Sequence, residues 1–316
     1  MVSLSNHVTI VAEGGVNHEG KLQTAMKLVD AAVAAGADIV KFQLYDTQKL
    51  LVPSHPDFTM LKELELPFRA FAQLAAYCRT ENVEFLVSVF HIEAVAMAEE
   101  LRAIGDRTLR PSLKRLKIPS GELTNLPLVQ AVAEAGFPVI ISTGMARLSE
   151  VEAAIETFEA HCTPGAYIDT LLHCTSEYPA LAADANLRAM ETLRRAFGYP
   201  VGLSDHTLGW EVPVAAVALG AVVVEKHLTL SRDQEGPDHK ASLEPGEFSA
   251  MVKAIRNVEM ALGDGRKRPT AEEWVTAERA RKKLVAAVPI PQGTVITEEM
   301  VTRLRAEGGI DSSEVR

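Results

Sequence analysis

The feature of this 316-residue chain that most limits its fold is an alternation. Short β-branched or apolar runs recur over 8–14, 38–45, 84–90, 115–119, 138–143, 168–174, 200–204 and 221–228. A stretch with helical spacing follows each of them. Eight strand candidates alternating with helices predict a parallel sheet. Eight such units in roughly 250 residues is the size of a closed (β/α)8 TIM barrel. A doubly wound open sheet is the alternative, but no Gly-x-Gly-x-x-Gly opens a helix after the first run.

The intervening segments read as amphipathic helices. Leu22, Ala25, Met26, Val29, Ala32 and Val33 repeat at helical spacing, and Gly36 supplies the stop. Ser149 with Glu152 reads as a capping box for a helix over 150–161. A helix over 247–262 closes the barrel, with Gly263 as its stop. The polar stretch 105–113, containing Arg110-Pro111, reads as a surface insertion before the fourth strand. The barrel is expected over 1–270, ending in a basic stretch with Pro269. A linker over 271–283 follows, its part 276–283 reading as a charged helix or linker. A small module over 284–316 then reads as a strand, a Pro-Gln-Gly turn and a short capped segment from Thr297. About thirty residues follow Lys283, fewer than an independently stable domain usually needs.

Composition narrows the function. Hydrophobic residues make up 47% and charged residues 23%, as in soluble globular proteins. A net charge of −10 argues against nucleic acid or an anionic membrane as the main partner. An anionic substrate would need its positive charge supplied locally. The first residues run directly into a strand pattern without a signal segment, and no apolar stretch is long enough to span a bilayer. A cytoplasmic location is the expectation. The three cysteines, Cys78, Cys162 and Cys174, fit free thiols in a reducing compartment and read as buried apolar groups rather than nucleophiles.

In a barrel, the C-terminal ends of the strands carry the chemistry. Polar groups gather there on nearly every strand. They include Glu13, Asn17 and His18 after the first, Lys41 and Gln43 on the second, and Ser88 on the third. Lys117, Ser120 and Glu122 follow on the fourth, and Ser142 on the fifth. His173, Ser176 and Tyr178 end the sixth, Ser204 and His206 the seventh, and Lys226 and His227 the eighth, with Asp238 beyond. Lys41 with Gln43, Ser120 with Glu122, and Ser204 with His206 are two apart, so extended backbone points each pair to one side. A strand-end serine taken alone is usually a cap or turn residue. A strand-interior lysine is harder to explain structurally, because an unpaired buried ammonium is costly. Two such lysines with a ring of hydroxyls suit a phosphate or carboxylate. His206 and His227 fit a shared divalent cation completed by substrate and water, or ordinary hydrogen-bonded histidines. His91, His161 and His239 read as surface or loop histidines.

At these residues the chain resembles the sialic acid synthase family, which includes N-acetylneuraminate, legionaminic and pseudaminic acid synthases. The matching stretches are VAEGGVNHEG, GADIVKFQ, KIPSGELTNLPL, PVIISTGM, LLHCTSEYP, PVGLSDHTLG, GAVVVEKHLTL and GPDHKASLEP. They run in order through 8–270, on seven of the eight strands. The resemblance implies a TIM barrel followed by a C-terminal antifreeze-like (SAF) module, which is short here, either truncated or abbreviated. It implies a divalent metal, Mn2+ or Mg2+, on His206 and His227. It implies phosphoenolpyruvate bound by Lys41, Ser88, Lys117, Ser120, Ser142, Ser176 and Ser204. An open-chain N-acylated mannosamine-type sugar would be contacted by Gln43, Glu122, Tyr178 and Asp238. Glu13, Glu122, Lys41 and Lys117 would be the catalytic groups, with Glu13 or Glu122 handling protons. Arg305 would be lent by the partner of a homodimer with swapped C-terminal modules.

The implied reaction joins the methylene carbon of phosphoenolpyruvate to the sugar aldehyde, adds water at C2 and releases phosphate by C–O cleavage. N-acetylmannosamine is the expected acceptor, with the 2,4-diacetamido sugar of a legionaminic acid synthase as the alternative. Asp238-His239-Lys240-Ala241 looks more like the neuraminate and legionaminate branches than the pseudaminate one. An aldose phosphate acceptor would call for an added basic cluster, and none is obvious. The chain departs from the family pattern at Leu44-Tyr45, at Val87-Ser88-Val89-Phe90-His91 and in its shortened C-terminus. These departures motivate a rival reading as a non-catalytic sugar-phosphate-binding barrel.

Overall fold

The computed structural model describes residues 7–106, 113–311 and 313. Eight parallel strands close into a barrel in sequence order. They are β1 (Thr9–Gly15), β2 (Ile39–Leu44), β3 (Glu84–Val89), β4 (Leu113–Ile118), β5 (Pro138–Ser142), β6 (Tyr167–Cys174), β7 (Val201–Asp205) and β8 (Val223–His227). All eight expected strands form, with ends displaced by at most two residues. The β1–β8 seam closes the barrel and sets Glu13 opposite His227. On the next seam Glu13 stands opposite Lys41.

The helices wrap the barrel and bury their apolar faces against it. Helix Leu22–Ala35 buries Ala25, Leu28, Val29 and Ala32. Each fully buried leucine or phenylalanine in this layer contributes on the order of 1.5–3 kcal/mol. Gly36 and Gly263 follow helices at φ of 85° and 60°, where other residues are strained. One helix start differs from expectation. The helix runs Leu148–His161, and Glu150, not Glu152, closes the cap by accepting from the Arg147 N–H at 2.7 Å. The chain enters the helix earlier than the serine suggested, which places Glu150 at the third helical position. The expected insertion over 105–113 falls largely on 107–112, outside the described residues.

The lumen is layered. Val11, Ile39, Leu86, Ile140, Leu172 and Val223 form an apolar plug across it. At the N-terminal ends of the strands Arg115 pairs with Glu84 at 2.7 Å and Asp169 at 2.6 Å. Two residues beyond the plug, toward the C-terminal ends, the same face turns polar on five of its six strands, at Glu13, Lys41, Ser88, Ser142 and Glu225, while β6 carries Cys174 there. Period-two alternation therefore separates a stability layer from a chemical one.

The barrel unit runs to Leu262, and a second unit begins at Gly263. The second unit contains helix Ala271–Ala280, where a linker over 271–283 was expected. Thr270 caps it, its hydroxyl accepting from the Glu273 N–H at 3.1 Å. Three antiparallel strands follow in the order β10-β9-β11: β9 (Lys283–Ala286), β10 (Val301–Leu304) and β11 (Ile310–Asp311). Among the described residues no helix is long and apolar enough to cross a membrane.

Candidate active site

A cavity of about 330 Å³ opens at the C-terminal end of the barrel. Twelve of the expected residues line it: Glu13, Lys41, Gln43, Ser88, Lys117, Ser120, Ser142, Ser176, Tyr178, Ser204, His206 and His227. They come from seven strands or the loops that follow them, plus β8, so barrel closure alone brings them together.

At its floor lies a buried charge cluster. Lys117 Nζ is 3.0 Å from both carboxylate oxygens of Glu225. Lys41 Nζ lies 3.2 Å from Glu225 Oε1, 3.0 Å from Glu13 Oε2 and 3.2 Å from Ser88 Oγ. Ser204 Oγ donates to Glu225 Oε1 at 3.1 Å. All four charged side chains are less than 5% exposed. Burial would raise the Glu225 carboxyl, but Lys117 and Lys41 hold it well below the ordinary range. Burial raises the Glu13 carboxyl to about 7; Lys41 opposes that rise and the negative charge of Glu225 adds to it. Burial depresses the Lys117 ammonium, Glu225 only partly restoring it and Lys41 repelling it. Lys41 stays above its usual range, because Glu13 and Glu225 together outweigh its burial.

Two imidazoles form the opposite wall. The His206 and His227 rings lie 5.3 Å apart, with the Tyr178 ring 4.1 Å from His206 and 5.7 Å from His227. His206 Nδ1 donates to the Thr175 carbonyl at 2.7 Å, leaving its other nitrogen free to coordinate. His227 Nδ1 is buried without a hydrogen-bond partner, 3.5 Å from Asp238 Oδ2. Burial, then the neighbouring His206 and Lys41, hold His227 neutral well below the usual histidine range. An orphaned neutral imidazole beside an oriented one suits a divalent cation completed by substrate or water. Among the described residues no group of three or more His, Cys, Asp or Glu side chains is arranged to hold a metal ion.

Other expected residues lie elsewhere. Glu122 does not line the cavity, and its carboxylate accepts from Asn125 Nδ2 at 2.8 Å. The expectation that Ser120 and Glu122 point to one side fails, because Ser120–Glu122 is a 3-10 turn rather than extended backbone. Asp238 stands behind His227, raised to about 6 by burial. Arg305 is exposed in the second unit, beside Arg279 and Glu278. Lys226 turns away from the cavity and pairs with Asp205 at 2.5 Å, so it belongs to the wall between strand and helices. Asn17 ties loops together, donating to the Leu228 carbonyl at 3.0 Å and Ser242 Oγ at 2.9 Å.

Three further corrections concern residues set aside in the sequence. His91 and His239 are buried, not surface groups: His91 Nε2 accepts from the Asp46 N–H at 3.0 Å, and His239 Nδ1 pairs with Thr229 Oγ1 at 2.7 Å. Cys162 is exposed, not a buried thiol. Glu225 escaped notice altogether. Its signal was present: it is two residues before His227 on one strand, and so shares its face. Cys174 also lines the cavity, its sulfur 3.7 Å from His206 Nδ1.

Buried polar atoms without partners show where a ligand would be satisfied. Ser142 Oγ, 2% exposed, lacks any hydrogen bond. With two lysines and the hydroxyls of Ser88, Ser120, Ser176 and Ser204 around the cavity, it suits a polyvalent anion.

Comparison with known proteins agrees with this chemistry. The NeuB family profile matches residues 28–267. The N,N'-diacetyllegionaminic acid synthase of Campylobacter jejuni is 40% identical over 96% of this chain and 92% of its own length. The enzyme of that name from Legionella pneumophila is 41% identical over 97% of this chain and 87% of its own. Among solved structures, the N-acetylneuraminic acid (sialic acid) synthetase of Leptospira borgpetersenii superposes with a TM-score of 0.77 at 34% identity, covering 86% of this chain and 90% of that one. By profile, sequence and structure, the chain belongs to the NeuB family.

Proposed function

We propose that the chain condenses phosphoenolpyruvate with the open-chain form of an N-acylated mannosamine-type sugar to make a sialic-acid-type product. The observation that carries this reading is the buried pair Lys41 and Lys117, converging on Glu225 within a ring of serines and facing two imidazoles. A doubly charged small acid needs several charge-assisted contacts, and this protein of net charge −10 offers them at one place.

In this reading Lys41 and Lys117 bind the phosphate and carboxylate, and Ser88, Ser120, Ser142, Ser176 and Ser204 orient them. The methylene carbon bonds to the sugar aldehyde, water adds at C2, and phosphate leaves by C–O cleavage. Glu13 is better placed than Glu122 to move protons, because it lines the cavity and titrates near neutrality. Gln43 Nε2, 3.4 Å from Glu13 Oε1, and Tyr178 face the acceptor, with Asp238 behind. His206 and His227 would hold Mn2+ or Mg2+, which when bound supplies Lewis-acid polarisation of the aldehyde oxygen.

A second acceptor has a specific observation behind it. The two diacetyllegionaminic acid synthases are 40% and 41% identical to this chain, which favours a 2,4-diacetamido sugar over N-acetylmannosamine. A homodimer in which an antifreeze-like second unit lends Arg305 belongs to the same reading, supported by the exposure of that side chain. So does a cytoplasmic location, supported by three unpaired cysteines.

Phosphoenolpyruvate carrying heavy oxygen in its bridging position tests the chemistry. Label recovered in inorganic phosphate is expected; label retained in the organic product contradicts C–O cleavage.

A further inference from the structure

We propose that Gly144 is a positioning residue: the absence of its side chain sets the spacing of the Ser120 and Ser176 hydroxyls, and through them the grip on phosphoenolpyruvate. The proposal rests on the reading of this cavity as the phosphoenolpyruvate site.

β5 ends at Ser142, and the chain turns at once. The Ala146 N–H returns to the Thr143 carbonyl at 3.3 Å, closing a four-residue turn. Its third residue, Met145, has φ of 64°. Glycine or asparagine ordinarily takes that position, because other side chains are strained there. Met145 is 73% exposed, so burial does not compensate the strain. The glycine of the pair instead sits one residue earlier, outside the left-handed region. Backbone conformation does not account for it.

Space does. A Cβ on residue 144 would stand 2.2 Å from Ser176 Oγ, 2.7 Å from Ser120 Oγ and 3.2 Å from Ser120 Cβ. Two hydroxyls from different strand ends therefore meet over one bare Cα. The Gly144 N–H donates to Ser120 Oγ at 3.1 Å, which occupies an acceptor position of that hydroxyl. Two residues upstream, the buried Ser142 hydroxyl has no partner. The turn thus organises three of the five serines assigned to the anion.

The obstructing atoms decide which property suffers. The two closest are ends of rotatable side chains, so a methyl group at 144 can be accommodated by turning the serines, and the fold survives. The hydroxyls then point away from the ligand. The cost falls on substrate binding rather than on stability.

Steady-state kinetics and calorimetry on the full chain separate these effects. Gly144→Ala is expected to raise the phosphoenolpyruvate KM by about tenfold or more, leave the acceptor KM within about twofold, and preserve the circular dichroism spectrum. Adding Ser176→Ala is expected to give a phosphoenolpyruvate KM no higher than that of the worse single variant, because Gly144→Ala already displaces the hydroxyl that Ser176→Ala removes. An unchanged phosphoenolpyruvate KM in Gly144→Ala, or effects that multiply in the double variant, overturns the proposal. If Gly144→Ala does not fold, a folded double variant with a phosphoenolpyruvate KM above that of Ser176→Ala supports it through the Ser120 hydroxyl that remains, and an unfolded double variant, or one with a KM equal to that of Ser176→Ala, overturns it. Calorimetric titration with phosphoenolpyruvate alone distinguishes the levels. Wild-type protein that fails to bind overturns the functional reading and this proposal with it. Wild type and Gly144→Ala binding equally tightly overturns this proposal only.

Discussion

Lys117 and Glu225 stand 108 residues apart in the chain, yet Lys117 Nζ lies 3.0 Å from both carboxylate oxygens of Glu225. Lys41 approaches the same carboxylate at 3.2 Å. One carboxylate thus holds two buried ammoniums near each other before any substrate arrives. Removing one partner of such a buried pair leaves an uncompensated charge, at a cost of about 3–5 kcal/mol. Glu225→Ala is expected to lower the unfolding free energy in urea by roughly that amount. A loss under about 1 kcal/mol would mean the cluster is not held as described. Lys117→Ala is expected to raise the phosphoenolpyruvate requirement, and an unchanged saturation curve would refute its placement.

His206→Ala and His227→Ala are each expected to abolish metal-dependent phosphate release while leaving the fold intact by circular dichroism. The orphaned Nδ1 of His227 and the oriented ring of His206 are the grounds for this. Full activity in either variant would remove the metal from these residues.

The contrast between Glu225 and Glu122 marks what sequence can and cannot supply here. The barrel was legible because its strands are apolar, β-branched runs at regular intervals. Lys41, Gln43, Ser204 and His206 followed from strand-end position and period-two alternation. The same rule misplaced Glu122, because Pro119 ends the extended backbone and a 3-10 turn follows. It also left the phase of β8 open: Glu225, Lys226 and His227 are consecutive, and only the fold shows that Lys226 turns outward to Asp205. The burial of His91 and His239 depends on loops whose course no local pattern sets. The family was legible in the sequence, while the spacing of Ser120, Gly144 and Ser176 was not, since it joins three separate strand ends.

His18 gives a pH signature. It is 1% exposed, and burial lowers its imidazole from 6.5 to about 4, partly offset by a backbone hydrogen bond. The unfolded chain therefore binds this proton first as pH falls. The stabilisation is fully present above pH 6.5 and is lost as pH drops toward 4, by roughly 3 kcal/mol in all. The difference in unfolding free energy between wild type and His18→Gln should fall by about that amount between pH 7 and pH 4. A difference independent of pH would contradict the assignment.

Two of the three thiols, Cys162 and Cys78, should separate by access. Cys162 is exposed, whereas Cys78 is buried and burial pushes its thiol up to about 12. In native protein a water-soluble thiol reagent is expected to modify Cys162 fast, and Cys78 only after unfolding. Mass mapping that finds Cys78 modified in the folded state would contradict its placement in the core.

The central claim is that one cavity brings phosphoenolpyruvate and an acylated open-chain sugar together. The most direct measurement is inorganic phosphate release from phosphoenolpyruvate with Mn2+, tested against N-acetylmannosamine, its 2,4-diacetamido counterpart and an aldose phosphate. The prediction is release that requires an acylated sugar and is lost without the metal. Release that is indifferent to the sugar, or none with any member of the panel, would contradict it.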